Sequence, residues 1–97
     1  MPEYVRVTDF EADDVALQLL VDSIRAEAGP PEGVPAMGIN VLANREAGKV
    51  RVVVFFASED DLRRGSETLE RLSPPDEANI RRTSVETFEI VLQLTAP

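Results

Sequence analysis

The chain contains no cysteine, no histidine and no tryptophan, and only one tyrosine and four phenylalanines among its 97 residues. Without cysteine there is no disulfide, no thiolate nucleophile and no sulfur ligand for zinc or an iron–sulfur cluster, and the redox compartment stays open. Without histidine, the usual base of nucleophilic triads and the commonest nitrogen ligand of transition metals are both missing. Positive charge is scarce too: 10 lysines and arginines stand against 18 aspartates and glutamates, a formal charge of −8. Such a chain repels phosphate backbones and anionic lipid, so neither nucleic acid nor a membrane is expected as a partner. No apolar run reaches the roughly 20 residues of a membrane-spanning helix, and the first residues lack a basic segment followed by an apolar one. A cytoplasmic location is expected.

What the chain does have is a run of strand-forming residues, Val50-Arg51-Val52-Val53-Val54-Phe55-Phe56-Ala57, between Gly48 and Ser58. It is apolar on both faces apart from Arg51, so it needs cover on both sides. Before it, Tyr4 to Phe10 alternates in a period of two, with Val5 and Val7 on one face and Tyr4, Arg6 and Thr8 on the other. Asp13 then caps a helix whose Leu17, Leu20, Val21, Ile24 and Ala28 form an inward stripe ended by Gly29-Pro30-Pro31. Met37, Ile39, Val41 and Ala43 mark a second strand, and Arg45 to Gly48 turns it back into the valine-rich run as a hairpin, with Gly48 at a positive φ.

After that run, Ser58 and Asp61 resemble a capping box, and a helix extends to about Leu72, stopped by Ser73-Pro74-Pro75. Its stripe of Leu62, Leu69 and Leu72 is interrupted by Gly65 and Ser66, which either admit close packing on the sheet or leave a hollow beneath the helix. A last strand covers about Thr83 to Leu94, with Phe88, Ile90, Leu92 and Leu94 on one face. The order β-α-β-β-α-β is that of an α+β, ferredoxin-like fold: a single domain, 1–97, with a four-stranded antiparallel sheet and two helices on one face. Right-handed crossovers make the first and third strands central and the second and fourth the edges. A domain this small buries little of its surface alone, so association is expected.

The segments Gly38 to Val50, Val53 to Arg63, with its Ser58-Glu59-x-x-Leu62 junction, and Ser84 to Ile90 resemble small dimeric α/β-barrel proteins of the antibiotic biosynthesis monooxygenase-like superfamily. The resemblance spans about Tyr4 to Leu94. It implies a homodimer whose two sheets meet face to face, with a pocket between each sheet and its own helices. If Phe56 faces the helices, strand alternation turns Val50, Val52 and Val54 the same way and Arg51, Val53 and Phe55 toward the partner. Tyr4 and Arg6 would bind an anionic or phenolic ligand or, on the simpler reading, make contacts at the dimer surface. Some members are cofactor-independent oxygenases of aromatic substrates; others degrade haem with a Trp, a His and an Asn. At the matching positions this chain has Phe56, Ser66 and Asp9. None of these is the family's catalytic type, and Ser66 cannot serve as a neutral nitrogen ligand, so haem chemistry is not expected and no cofactor is assigned.

The residues read as possible ligand contacts are Asp9, Asn40, Asn44, Phe56, Gly65 and Ser66. The two amides would orient a quinone or carbonyl oxygen if their face lined a pocket, but an edge strand with polar residues outward is the simpler reading. A lone Arg51 in an apolar strand calls for a carboxylate, from Glu86, Glu89 or a partner chain. The acidic groups Glu11, Asp13, Asp14 and Glu59, Asp60, Asp61 stand at helix starts, where they oppose the helix dipole; they are not read as a metal site. Three functions follow as expectations: a binding module for a small apolar or aromatic molecule, a cofactor-independent monooxygenase acting on an aromatic or quinol-type substrate, or a ligand-free structural or regulatory homodimer. A pocket lined by Asp9, Asn40 or Asn44 would favour the oxygenase, a purely apolar one the binder, and a closed, filled space between sheet and helices would eliminate both.

Overall fold

A computed structural model describes residues 2–26, 33–71 and 80–96. The elements run β1 (Tyr4–Ala12), α1 (Asp14–Ala26), β2 (Gly38–Asn44), β3 (Lys49–Phe56), α2 (Glu59–Glu70) and β4 (Ile80–Glu89). All neighbouring strands are antiparallel, in the order β2-β3-β1-β4. The fold is thus ferredoxin-like, with the first and third strands central.

Local signals in the sequence set the boundaries. The backbone N–H of Ala16 donates to Asp13 Oδ1 at 2.8 Å and that of Asp61 to Ser58 Oγ at 3.1 Å, so both helices begin at a side-chain cap. Gly48 takes φ +67° in the hairpin, and the N–H of Ala47 donates to Asn44 Oδ1 at 3.2 Å. Of the expected α1 stripe, Leu17 is buried and Leu20, Val21 and Ile24 are half-buried. Ala28, Gly29-Pro30-Pro31, Leu72 and Ser73-Pro74-Pro75 lie outside the described residues.

The β1–β3 ladder puts Tyr4, Arg6, Thr8 and Phe10 opposite Phe56, Val54, Val52 and Val50, and these share the helix side of the sheet. The core there gathers Val54 and Phe56 of β3, Leu62 of α2 and Val34. Val34 comes from the glycine- and proline-rich connection that sequence reading treats as loop; it is tied to α2 by the Thr68 hydroxyl, which donates to the Gly33 carbonyl at 3.2 Å. Gly65 decides how α2 sits. A Cβ there would overlap Phe56 Cε1 and stand 2.7 Å from Cζ, so helix and ring are in direct contact. Over β3, then, the small residue permits close packing.

The last strand departs from expectation at both ends, running over Ile80–Glu89 rather than about Thr83 to Leu94. Its length follows from its ladder partner, β1. Pairing with β1 ends at Tyr4↔Glu89, followed by one bond from Ile90 N–H to the Glu3 carbonyl at 2.7 Å. Beyond Glu3 the chain offers Pro2, which has no N–H to donate. Val91, Leu92 and Leu94 therefore leave the sheet and are 88%, 73% and 83% exposed. At the other end, a bulge opposite Asp9 and Phe10 takes up Thr83 and lets β4 pair back to Ile80↔Ala12.

Substituting Gly65→Ala is expected to destabilise the fold by about 1–3 kcal/mol through overpacking against Phe56. Gly38→Ala, where an added Cβ meets nothing within 4 Å, should change it little. Urea unfolding of the two variants beside the parent checks the contrast.

Candidate functional site

Arg6, the third residue of the central strand β1, lies on the helix side with only 3% of its surface exposed. A charge buried so deeply needs partners on the spot. Its Nη1 donates to the Ser66 carbonyl at 2.9 Å and its Nη2 to Glu70 Oε1 at 2.7 Å, both on α2. Glu70 also lies 3.4 Å from Arg82 of β4, so one carboxylate joins β1, α2 and β4. The Arg6 hydrogen bond holds the Glu70 carboxyl below its ordinary range, helped by the charge of Arg82 and opposed by partial burial. Two buried polar atoms beside this pair have no partner among the described residues: Arg6 Nε and Ser66 Oγ.

Both residues line a groove of about 500 Å³ between α2 and the β1–β4 half of the sheet. Val85 and Thr87 of β4 complete its floor, Leu62 forms its apolar wall, and Glu59, Arg63 and Glu67 stand at its rim with Glu70. The volume falls within the roughly 300–1,000 Å³ of small-molecule clefts. The same helix thus touches the sheet at Gly65 and leaves space on the Ser66 side.

The opposite face of the sheet carries no helix among the described residues. It is ordered in rows across the strands. At one end Val5 lies between Phe55 and Phe88; next come Asn40, Val53, Val7 and Glu86; then Leu42, Arg51, Asp9 and Ser84; and last Asn44, Lys49, Glu11 and Arg81. The face therefore grades from apolar to charged.

Arg51 is paired, but with neither carboxylate expected of it. Its Nε and Nη2 donate to Asp9 Oδ1 and Oδ2 at 2.7 and 3.0 Å, and the Ser84 hydroxyl donates to Oδ2 at 3.2 Å. Asp9 is its direct cross-strand neighbour, whereas Glu89 points to the helix side and Glu86 is one row away. The Arg51 hydrogen bonds hold the Asp9 carboxyl below its usual range, with burial opposing.

The six residues read as ligand contacts are not brought together. Asp9, Asn40 and Asn44 lie on the open face; Phe56, with no exposed surface, and Gly65 are in the core; Ser66 alone lines the groove. The five read as dimer contacts also divide. Arg51, Val53 and Phe55 are on the open face, while Tyr4 and Arg6 face the helices because the β1–β3 register sets Tyr4 opposite Phe56. Sequence reading missed Glu70, Val85 and Thr87 as groove residues. The available signal was Arg6 itself: a cation at a central position on the helix side requires a carboxylate from the covering helix.

No family model matches the chain. A search of curated proteins finds no match either. The acidic clusters are engaged with arginines: Asp60 pairs within its own helix with Arg63 and Arg64, Asp14 reaches Arg45 of the hairpin at 3.2 Å, and Glu11 pairs with Arg81 of β4. Among the described residues no three acidic side chains gather to hold a metal, and no helix is long and apolar enough to cross a membrane.

A depressed carboxyl stabilises the fold above its unfolded pKa, and that contribution is lost as the pH falls through the folded value. Stability is therefore expected to drop as the pH goes below about 4, and Asp9→Asn should flatten part of that drop while lowering stability near neutrality. Thermal unfolding followed from pH 7 down to pH 3 checks the slope.

Proposed function

We propose that the protein is a binding module for a small apolar or aromatic molecule, held between α2 and the sheet of each chain, and that it works as a homodimer through its open sheet faces. The observation that carries the binding reading is the pair of buried, unpartnered atoms, Arg6 Nε and Ser66 Oγ, beside a ligand-sized groove. Leaving such groups unbonded costs free energy that a ligand's polar atom would recover. The oxygenase reading has less support. None of Asp9, Asn40 and Asn44, the residues that would orient a quinol oxygen, lines the groove. An amide NMR titration with acetophenone should shift Leu62, Ser66, Val85 and Thr87 and leave Asn40 and Asn44 unmoved. The absence of any shift at the groove would sink the reading.

The dimer rests on the apolar end of the open face, where Phe88 is 47% exposed beside Val5 and Phe55. Pairing through this face agrees with the resemblance to the antibiotic biosynthesis monooxygenase-like superfamily, whose members join sheet to sheet. Phe55→Lys is expected to weaken association by at least about 30-fold, matching the ~2 kcal/mol of a hot-spot aromatic. Sedimentation velocity reads the result, and a parent chain that runs at 10.7 kDa at micromolar concentration overturns the proposal.

A further inference from the structure

We infer that the groove takes an apolar molecule with a hydrogen-bond-accepting oxygen at its inner end and a protonated amine at its outer end, and discriminates against carboxylates. The inference rests on the binding reading above and adds the chemistry of the ligand. Arg6 Nε–H can only donate, so what it lacks is an acceptor, and the Ser66 hydroxyl, likewise unpartnered, can donate as well. That acceptor has no need of charge, because Glu70 already meets the Arg6 cation at 2.7 Å. A ligand carboxylate would compete with Glu70 for the guanidinium.

The mouth is charged the other way. Arg63 at the rim is held by Asp60, while Glu59 and Glu67 have no ion-pair partner among the described residues. Two unbalanced carboxylates in a chain of net charge −8 repel an incoming anion and favour a cation. Between mouth and floor, Leu62 and Val85 supply the apolar middle that a benzene ring would cover.

Four probes of one shape separate these demands: para-acetylbenzylammonium, acetophenone, para-ethylbenzylammonium and para-acetylbenzoate. Each is titrated at low salt into the intact protein, read by the Ser66 amide and the Arg6 side-chain Nε–H resonances. Para-acetylbenzylammonium is expected to bind tightest, about tenfold tighter than its ethyl counterpart, for one hydrogen bond from a charged donor. It should also bind about tenfold tighter than para-acetylbenzoate, and that second margin should shrink at high salt. Ser66→Ala should narrow the first margin, and the double substitution Glu59→Gln, Glu67→Gln the second. Equal affinities of the acetyl and ethyl probes, or an Nε–H resonance unmoved at saturation because water keeps the position, overturn the inner oxygen. A benzoate that binds as well as its ammonium analogue overturns the charged mouth. Each of those results leaves the binding reading in place, whereas no groove shift with any of the four overturns both.

Discussion

Arg6 is withdrawn from water between the sheet and α2, and that position dictates how its surroundings are arranged. An uncompensated charge there would cost several kcal/mol, so α2 must bring both a carbonyl and a carboxylate to it. Ser66 and Glu70, four residues apart on one helix face, do so. Because Glu70 also faces Arg82, the helix is tied to both β1 and β4. Where an aliphatic side chain would have let α2 settle onto the sheet, the guanidinium and its polar partners hold a space open. The groove and the ion pair have one origin.

The order of elements, both helix caps and the glycine turn of the hairpin were legible in the sequence because each is a local arrangement, written within a few adjacent residues. The two-sided character of β3 was legible as well. What could not be read was which way β1 faces. Val5 and Val7 invite the inward side by hydrophobicity, but pairing with β3 turns Tyr4 and Arg6 inward instead. A one-residue change of register exchanges every side chain between faces. That single unknown explains why Arg6 was read as a surface contact and why Arg51 was given the wrong carboxylates. Of the six ligand candidates it concerns Asp9 alone, since Asn40 and Asn44 are set on the open face by the β2–β3 register.

The bulge at Thr83 extends the same logic to β4. By absorbing one residue it sends Arg81 to the open face, where it pairs with Glu11 at 2.6 Å, and Arg82 to the helix side, where it meets Glu70. Without it Arg82 would fall opposite Glu11 on the open face and Arg81 would turn to the helix side, one residue further from Glu70. Which arginine serves which carboxylate depends on one inserted residue.

The contact between Gly65 and Phe56 has a consequence for how this scaffold can diversify. Ring size at position 56 and side-chain size at position 65 set the height of α2 above the sheet, and that height is also the depth of the groove on the helix's other flank. A chain that enlarged either residue would have to lift the helix, gaining room for a bulkier guest while loosening the grip of Glu70 on Arg6. At this pair of positions guest size and the fastening of the helix are adjusted together, whereas Leu62 and Val85 line the groove without forming part of that contact.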